Sequence, residues 1–371
     1  MKTLAVIGAS YLQKPLVLKA REMGLRVICF AWEEGAVCKD LADRFYPVSI
    51  TEKEQILEIC REEEIDGICT IASDTAAPTV AYVAEKMGLT GNSYVSAACA
   101  NDKYRMRNAF SAAGIRCPHY SRVMQNEPYD FTGWSFPLIV KPCDRSGSLG
   151  VNRVDSIKEL QKGIIEAQGF SFKHEAIVEE YIEGREISVE FISFNGVHYP
   201  LTITDKVTTG APHFVELEHH QPAELSEDQF AVIYRTTSMA LDALGITQGA
   251  SHTEYRITDD GDIVILELGA RMGGDFIGSD LVRLSTGYDF VKGVIEVALG
   301  TFNEPVFNQA SHSGVFFLCK ETDRLLPVFD NHSCYSSIVA AERQNPILKA
   351  VKCSADRSGF IIYQSEKRLV L

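Results

Sequence analysis

Residues 251–271 read SHTEYRITDDGDIVILELGAR and place two largely apolar segments on either side of Asp260-Gly261. An Asp-Gly pair between such segments favours a two-residue type I′ turn, so the stretch predicts a β-hairpin. A turn of that length also sets which residues face each other across the two strands. The predicted facing pairs are Asp259 with Asp262, Ile257 with Val264, Tyr255 with Leu266, and Glu254 with Glu267.

The predicted Glu254–Glu267 pair carries the chemistry of this hairpin. Facing side chains on one sheet have Cβ atoms about 5 Å apart, where two carboxylates repel each other unless a cation or a shared proton intervenes. Mg²⁺ suits this arrangement because it is commonly held by one or two carboxylates and by the phosphate oxygens of a nucleotide. The alternative is an exposed hairpin with two solvated glutamates.

A second motif lies in residues 140–151, which read VKPCDRSGSLGV. A lysine at the end of a strand, followed by a loop of small residues, allows backbone N–H groups and one point charge to approach phosphates. The P-loop pattern G-x-x-x-x-G-K-[ST] is absent from the chain. An ordinary polar hairpin loop is the alternative interpretation of this segment.

A third motif lies in residues 177–186, which read IVEEYIEGRE and predict a strand, a polar bend and a second strand. Adenine requires an apolar slot and backbone hydrogen bonds from an extended segment, and ribose hydroxyls require an acceptor such as a carboxylate. The stretch from Glu179 to Ile182 offers the first feature and Glu186 offers the second. A solvated acidic bend explains the same composition.

Composition excludes several classes of protein. The chain has 371 residues, 46% of them hydrophobic and 23% charged, which is ordinary for a globular protein of two or three domains. Its net charge of −14 disfavours binding to nucleic acids and to anionic membranes. The ten cysteines are scattered without a zinc-like cluster, and no segment reads as a signal peptide or a membrane span. We therefore expect reduced buried thiols and a cytoplasmic protein.

The order of predicted elements indicates an α/β N-terminal domain with a parallel sheet. Strands at 4–7, 26–30 and 67–71 alternate with helices at 16–23, 52–64 and 75–87. From about Asp102 the pattern becomes α+β, with further helices at 104–113, 157–168, 227–244 and 289–299. Beyond Gly300 the signals weaken to a small β-rich segment with strands near 314–319 and 359–363.

The loop lysine, the acidic bend and the paired glutamates, in this order, resemble the ATP-grasp superfamily of carboxylate–amine ligases. The resemblance extends to about Leu299, and the form Glu-x-Gly-Ala-Arg-Met-Gly-Gly-Asp at 267–275 is similar to the branch that contains amino-acid ligases and carbamoyl-phosphate synthetase-like enzymes. It implies a pre-ATP-grasp domain at 1–98, an ATP-grasp domain at 99–300 with a mobile lid at about 115–182, and a small C-terminal domain at 301–371.

The resemblance also implies roles for individual residues. Lys103, Lys141 and Lys206 would contact ATP phosphates beneath a mobile loop containing Ser146, Gly147, Ser148 and Gly150. Glu179, Glu180 and Ile182 would hold adenine, and Glu186 would hold ribose. Glu254 and Glu267 match the metal ligands, and Arg271 matches the arginine that meets the transferred phosphate or the substrate carboxylate. For Lys206 an ordinary surface lysine is an equal alternative. The chain departs from the family at Gly269, where many members carry asparagine, so water is expected as a further metal ligand.

The implied activity is an ATP- and Mg²⁺-dependent (or Mn²⁺-dependent) ligation of a small-molecule carboxylate to an amine through an acyl phosphate. The acid and the amine stay open, bicarbonate included, and a homodimer is the commonest state for such enzymes. Two other classes remain as alternatives. One is a nicotinamide-dependent oxidoreductase on the first sheet, although Gly8-Ala9-Ser10 lacks the further glycines of a dinucleotide site. The other is a non-catalytic ATP-binding protein.

Several polar residues are weaker candidates. Ser10, Gln13 and Ser73-Asp74-Thr75 follow strands of the first sheet and are candidates for the substrate cleft, with helix capping as the stronger alternative. His252 shares a face with Glu254 but reads more simply as a core histidine. His219-His220 are expected to flank the cleft, and Cys143 is expected to be a packing residue.

Overall fold

The N-terminal part of this computed structural model, which describes residues 1–211 and 213–371, is a parallel four-stranded sheet. Its strands are β1 (Thr3–Ile7), β2 (Arg26–Phe30), β3 (Arg44–Tyr46) and β4 (Gly67–Cys69), in the order β3-β2-β1-β4, and its helices are α1 (Lys14–Glu22), α2 (Lys53–Glu62) and α3 (Ala77–Met87). β1 pairs on both sides and every one of its residues is buried, which explains its uninterrupted apolar sequence. The predicted α/β domain is confirmed.

A second, antiparallel sheet follows after two short helices. The helices are α4 (Tyr94–Ala100) and α5 (Lys103–Ala112), and the strands are β5 (Tyr120–Met124), β6 (Leu138–Pro142), β7 (Asn152–Val154) and β8 (Glu175–Glu180), in the order β5-β8-β6-β7. Helix α6 (Ile157–Phe170) packs on this sheet through an apolar face that includes Leu160 and Ile164. Asp102 caps α5 by accepting a hydrogen bond from the Arg105 N–H, and this cap sets where Lys103 leaves the helix start.

The third sheet has eight antiparallel strands and contains most of the remaining chain. Its strands are β9 (Arg185–Phe194), β10 (Val197–Thr208), β11 (Glu216–Gln221), β12 (Gly249–Ile257), β13 (Ile263–Gly269), β14 (His312–Leu318), β15 (Ile338–Arg343) and β16 (Gly359–Ser365), in the order β13-β12-β9-β10-β11-β14-β16-β15. The accompanying helices are α7 (Glu227–Leu244), α8 (Val282–Thr286), α9 (Phe290–Ala298) and α10 (Leu326–Asp330).

The C-terminal residues continue this third sheet. β14 pairs with β11, so the three last strands extend the ladder of the preceding region. Leu281 packs with Val315, Phe317 and Ile362 in one buried cluster, which joins the two regions through their cores as well. The expected β-rich segment is therefore present, and it is joined to the rest of the protein by hydrogen bonds and apolar contacts.

The hairpin of β12 and β13 forms, but its turn differs from the predicted one. Gly261 has φ of +86°, its N–H donates to the Thr258 carbonyl, and the Thr258 N–H donates to the Asp262 carbonyl. These bonds define a three-residue loop with a left-handed glycine at its third position. The predicted two-residue turn is wrong, and so are the predicted pairs Tyr255–Leu266 and Ile257–Val264, because Tyr255 faces Ile265 and Ile257 faces Ile263.

A β-bulge brings Glu254 and Glu267 back into the predicted pairing. The register shifts between Glu254 and Tyr255, where Leu266 is the extra residue of β13, and Glu254 faces Glu267 as predicted. A bulge lets two consecutive residues turn toward the same side of a sheet. Leu266 and Glu267 both line the same cavity, as does Glu254.

The cysteines and the membrane expectation can be compared with the structure directly. All ten cysteines are free, and Cys29, Cys38, Cys60, Cys69, Cys143 and Cys319 are buried. The expectation of buried thiols is wrong for Cys334 and Cys353, which are exposed. Helices in the described part of the chain lack the combination of length and apolar composition that a bilayer crossing requires.

Candidate active site

The candidate site is a cavity of about 410 Å³ between the second and third sheets. Its volume is in the range of small-molecule sites. The second sheet contributes Lys141 and Glu180, the third sheet contributes Glu254 and Glu267, and the loop after β4 contributes Asp74. Of the residues predicted for ATP and metal, the cavity is lined by Lys103, Lys141, Ser146, Gly147, Ser148, Glu179, Glu180, Ile182, Glu186, Lys206, Glu254, Glu267 and Arg271.

Lys141 and Glu179 form a buried ion pair on neighbouring strands of the second sheet. Lys141 Nζ lies 2.6 Å from Glu179 Oε2, and the other oxygen, Oε1, lies 2.7 Å from Nε of the fully buried Arg107. Burial would raise the pKa of Glu179, but Arg107 and Lys141 outweigh it and hold that pKa below its usual range. Burial lowers the pKa of Lys141 even beside Glu179. The carboxylate is thus occupied by two cations, so a contact of Glu179 with adenine would have to come from its backbone, and that role stays a prediction.

Lys103 connects the glycine-bearing loop to one of the paired glutamates. Its Nζ donates to the Arg145 carbonyl at 2.6 Å and to Glu267 Oε1 at 3.0 Å. Burial lowers its pKa, but Glu267 and nearby Asp74 and Glu179 raise it above the usual value. Lys103 is therefore a buried cation beside both Glu267 and the loop of residues 146–148.

Lys206 lies among three carboxylates and is not the surface lysine of the alternative interpretation. Its side chain is only 3% exposed, and Nζ lies 2.7 Å from Glu254, 3.0 Å from Glu186 and 3.6 Å from Glu216. Burial opposes its charge, yet these glutamates, Glu254 first, raise the pKa of Lys206 well above its ordinary value. The lysine stays protonated and neutralises part of the acidic wall.

The paired glutamates fit a divalent cation that a nucleotide helps to hold. The described residues contain no group of three or more His, Cys, Asp or Glu side chains that would bind a metal alone. Mg²⁺ seldom needs such a cage, since one or two carboxylates, phosphate oxygens and water complete its octahedron. Glu254 and Glu267 supply two hard oxygen donors on the cavity side, and the Lys206 and Lys103 side chains pair with them in this structure.

The bend after β8 forms the other end of the cavity. Glu180, Tyr181 and Ile182 line it, and Arg256 donates to the Ile182 carbonyl at 3.2 Å and to Glu186 Oε2 at 3.2 Å. Phe214 lies opposite Tyr181, with 6.3 Å between ring centroids. This end combines aromatic walls with an extended backbone, which are the features that a purine base requires.

Arg271 faces the N-terminal domain across the cavity. Its Nε and Nη2 donate to the two carboxylate oxygens of Asp74 at 2.9 and 2.8 Å, and its Nη1 donates to the Met272 carbonyl at 3.3 Å. Gly269 makes this pair possible, because a Cβ there would lie 2.5 Å from Asp74 Oδ1. The pair corrects the expectation that Asp74 caps a helix, since Ala76 is the residue that precedes α3 and it makes no side-chain cap.

Two buried histidines lie near Glu254. His252 Nδ1 bonds to the buried Glu190, whose other oxygen accepts the Gly273 N–H at 2.9 Å, and His252 Nε2 is 3.5 Å from Glu254. The prediction of a paired core histidine is correct for His252, although it also lines the cavity. His219 lines the cavity as expected, whereas His220 bonds to Tyr363 and Glu218.

The predicted residues that do not line the cavity are Ser10, Gln13, Ser73, Thr75, Gly150 and His220. Ser10 and Gln13 bond to each other, and Gln13 Nε2 donates to the Ile71 carbonyl, so both stabilise the β1–α1 loop. Gly150 has φ of +73°, and a Cβ there would lie 2.8 Å from Phe170. Gly150 is thus required by backbone conformation and packing, and the loop lines the cavity through residues 145–149 and Val151.

The sequence-based reasoning missed several residues of the site. Arg107 gives no local signal because it lies inside a helix and reaches Glu179 only through the fold. Arg256 and Glu216 belong to strands, and the alternation of β12 already places Arg256 on the side of Glu254. Asp275 is the last residue of the 267–275 pattern, where it was given no role, and it also lines the cavity.

The combination of sheets and lining residues defines a class of nucleotide-binding protein. A lysine-bearing antiparallel sheet faces a second antiparallel sheet, and paired carboxylates and a small-residue loop lie between them. Comparison with known proteins identifies that class more closely. Residues 134–280 match the model of the ATP-grasp domain. The chain contains an ATP-grasp domain, and the resemblance noted from the sequence is confirmed.

Individual relatives agree with this assignment. The chain is 28% identical over 272 residues to alanine–anticapsin ligase of Bacillus subtilis (strain 168), which covers 64% of this chain and 57% of that protein. The chain thus spans little more than half the length of this curated relative. L-amino acid ligase from Bacillus licheniformis superimposes with a TM-score of 0.81 at 23% identity, over 99% of this chain and 94% of its own. N5-carboxyaminoimidazole synthetase from Staphylococcus aureus, solved with ADP, gives a TM-score of 0.79 at 16% identity, covering 99% and 94%.

Proposed function

We propose that this protein is an ATP- and Mg²⁺-dependent ligase that activates a small-molecule carboxylate as an acyl phosphate and joins it to an amine, releasing ADP and phosphate. The observation that carries the proposal is the convergence of Lys103, Lys141 and Lys206 with the facing Glu254–Glu267 pair around one cavity. Such a group of cations and hard oxygen donors matches the charge and size of a nucleoside triphosphate. Mn²⁺ would satisfy the same donors.

Glu254 and Glu267 would hold the metal ion, which when bound polarises the phosphate oxygens of ATP. Lys103 and Lys141 would offset the phosphate charge while the substrate carboxylate attacks the γ-phosphorus. The bend at Glu180–Ile182 would hold adenine through its backbone, and Glu186 would accept the ribose hydroxyls. Lys206 would keep the acidic wall from repelling the phosphates, since it neutralises Glu254 and Glu186.

Arg271 would stabilise the acyl phosphate. A guanidinium has five N–H donors, and Asp74 and the Met272 carbonyl engage three of them. The remaining donors can bind oxygens of the substrate or of the transferred phosphate. Asp74 fixes the direction of the guanidinium before a ligand arrives, which reduces the reorganisation required in the reaction.

Closure of the lid would protect the intermediate from water. In the proposed division, residues 1–98, 99–300 and 301–371 are the domains, and about 115–182 form the lid. Ser146, Gly147 and Ser148 would cover the phosphates on the cavity side when the lid closes. Lys103 Nζ bonds to the Arg145 carbonyl, which links this loop to the phosphate end.

The names of the relatives suggest the substrate class. Alanine–anticapsin ligase and L-amino acid ligase both join amino acids by their printed names. An amino acid is therefore the first carboxylate to test, with bicarbonate as a second choice. The free cysteines are in keeping with the cytoplasm as the proposed compartment, and a homodimer is the proposed state.

The test is a coupled screen of ADP release over amino acids, other small carboxylates and bicarbonate, each with and without amine acceptors. We expect release to require one acid and Mg²⁺ or Mn²⁺, and to increase with one class of amine. Glu267→Gln should lower that rate by at least about 100-fold, because even outer partners of metal ligands contribute roughly 10–100-fold.

Glu166→Gln is the matched control, since Glu166 is an exposed glutamate on α6 outside the cavity. It should leave ADP release unchanged. An unchanged rate in Glu267→Gln would refute the metal assignment. Tight ATP binding without stimulation by any acid would replace the ligase with a non-catalytic ATP-binding protein.

A further inference from the structure

The turn that follows Arg271 has an unfavourable backbone. Asp275 has φ of +49° and Phe276 has φ of +68°, so two consecutive residues with side chains adopt the left-handed region. Residues other than glycine rarely adopt this region, because their Cβ approaches the backbone carbonyl oxygen. Such a conformation persists only where the surrounding structure holds it. The contacts of Asp275 and Phe276 therefore identify what holds the turn.

Arg357 of the C-terminal domain holds Asp275. Its Nη2 lies 2.9 Å from Oδ1 and 2.8 Å from Oδ2, while its Nε donates to the Ser354 carbonyl at 2.9 Å. The guanidinium carbon lies 3.8 Å from the centroid of the Phe317 ring, and the side chain is only 7% exposed. Arg357 is thus held by Ser354 and Phe317 in addition to Asp275.

Phe276 is held by the same domain. Its ring centroid lies 4.3 Å from that of Phe360 and 6.4 Å from that of Phe317. Both partners come from β14 and β16, which lie outside the 134–280 match to the ATP-grasp model. The two strained residues therefore depend on a part of the chain that the family model does not include.

The turn forms one end of the cavity. Gly274, Asp275 and Ile277 line the cavity together with Ser354, and Tyr11 of the N-terminal domain lies there too. The N–H of Gly273, at the start of the turn, donates to the buried Glu190. The turn follows Arg271 directly in the chain and lines the cavity together with Tyr11 of the N-terminal region. In the proposed function we therefore assign the acid and the amine to this part of the cavity, and adenine to the bend at Glu180–Ile182.

We propose that Arg357 is a positioning residue of the active site, which clamps Asp275 and holds residues 273–276 in the strained turn that shapes the acid–amine end. The inference rests on the proposed function for the assignment of that end. The clamp itself is independent of any ligand. The C-terminal domain is then a working part of the site, in addition to extending the sheet.

Arg357→Gln and Arg357→Lys test the clamp, since glutamine lacks the charge and lysine lacks the fork of donors. We expect both variants to raise KM for the acid or the amine at least about tenfold, with KM for ATP within about twofold. The matched control is Arg324→Gln. Arg324 also lies beyond residue 300 and pairs with Glu218 of the third sheet at 2.6 Å, away from the turn.

Hydrogen exchange of the turn gives a readout that needs no activity. Exchange in a peptide covering 272–277 should become faster in Arg357→Gln and stay unchanged in Arg324→Gln. Glycine adopts positive φ without steric cost, so in Asp275→Gly the exchange of the turn should no longer depend on Arg357. The single variant Asp275→Gly and the double variant Asp275→Gly/Arg357→Gln should therefore exchange at the same rate.

Three results would overturn the proposal. The first is equal behaviour of Arg357→Gln and Arg324→Gln in KM and exchange, which would reduce Arg357 to a structural contact. The second is a rise in KM for ATP equal to that for the acid or amine. The third is unchanged exchange in both Arg357 variants. If the natural protein releases no ADP with any acid, the proposed function fails, and the exchange experiment still decides on the clamp.

Discussion

His219 is a buried imidazole next to several positive charges. Its ring nitrogens have no hydrogen-bond partner among residues 1–211 and 213–371, and the side chain is almost fully buried. The positive charges near it come from Lys206 in β10, Arg357 just before β16, His220 in its own strand and His252 in β12. Burial, and then these charges, hold the pKa of His219 well below its ordinary value.

This shift predicts a pH dependence of stability. Between pH 6.5 and 5.5 the unfolded chain protonates His219 while the folded protein does not, so the unfolded state binds more protons and acidification destabilises the fold. We expect wild type to lose about 1 kcal/mol more of its unfolding free energy than His219→Gln between pH 7.5 and 5.5. Urea unfolding of both proteins at the two pH values measures the difference.

The pKa of His252 is shifted in the opposite direction from that of His219. Burial lowers its pKa, but Glu190 and Glu254 raise it above the ordinary value, so its contribution is complete below pH 6.5 and is lost as pH rises through the folded pKa. Because His252 is present in both proteins, its effect cancels in the comparison. Equal pH dependence of wild type and His219→Gln would contradict the argument.

At the level of elements, the β12–β13 hairpin shows how two local features combine. The three-residue loop shifts the facing pairs by one residue relative to a type I′ hairpin, and the bulge at Leu266 shifts them back. The facing of Glu254 and Glu267 therefore depends on the bulge as well as on the turn. Apolar alternation predicts the two strands, but a bulge is invisible in the pattern because Ile263–Leu266 is apolar throughout.

Gly261→Ala tests the role of the turn. Gly261 has positive φ and no heavy atom within 4 Å of a built Cβ, so the change carries a backbone cost alone. We expect the unfolding free energy to fall by about 1–2 kcal/mol, with a smaller loss in Gly261→Asn, because asparagine tolerates the left-handed region better. Chemical denaturation of the three proteins measures this order.

The site should tolerate the same substitution. Since the bulge lies between the turn and Glu267, KM for ATP and the Mg²⁺ requirement should stay within about twofold of wild type. A large loss of Mg²⁺ dependence in Gly261→Ala would show that the turn, and not the bulge, sets the Glu254–Glu267 pair.

At the scale of the whole molecule, the cavity is assembled by three regions of the chain. Asp74 reaches it from the loop after β4, Lys141 from the second sheet, and Glu254 from the third sheet. The Asp74–Arg271 pair joins the first region to the third, and Gly269 leaves the space for it. This explains the departure from the family at position 269: a side chain there would displace Asp74.

Gly269→Ala should therefore act through Asp74. We expect Gly269→Ala and Asp74→Ala to lower kcat/KM for the acid by similar factors, about tenfold or more, and the double variant to lose no more than either one. Steady-state kinetics of the four proteins forms the double-mutant cycle. Additive losses would show that Gly269 acts independently of the pair, for instance at the metal.

The amino-acid sequence alone predicts the order of elements, the ATP-grasp resemblance and most of the charged residues around the cavity. These follow from local features: apolar periodicity, the Asp-Gly turn, the loop after Lys141 and the spacing of Glu254 and Glu267. The prediction that Glu254 and Glu267 face each other is correct, but the two-residue turn from which it was derived is wrong.

The pairing of these charges is set by the three-dimensional fold. Arg107 on Glu179, Asp74 on Arg271 and Arg357 on Asp275 join residues between 72 and 197 positions apart, as their numbers show. No local pattern encodes such pairs, because their energy comes from burial between elements that approach each other only after folding. The same holds for Lys206, whose surroundings of three glutamates exist only once β9, β10, β11 and β12 lie side by side.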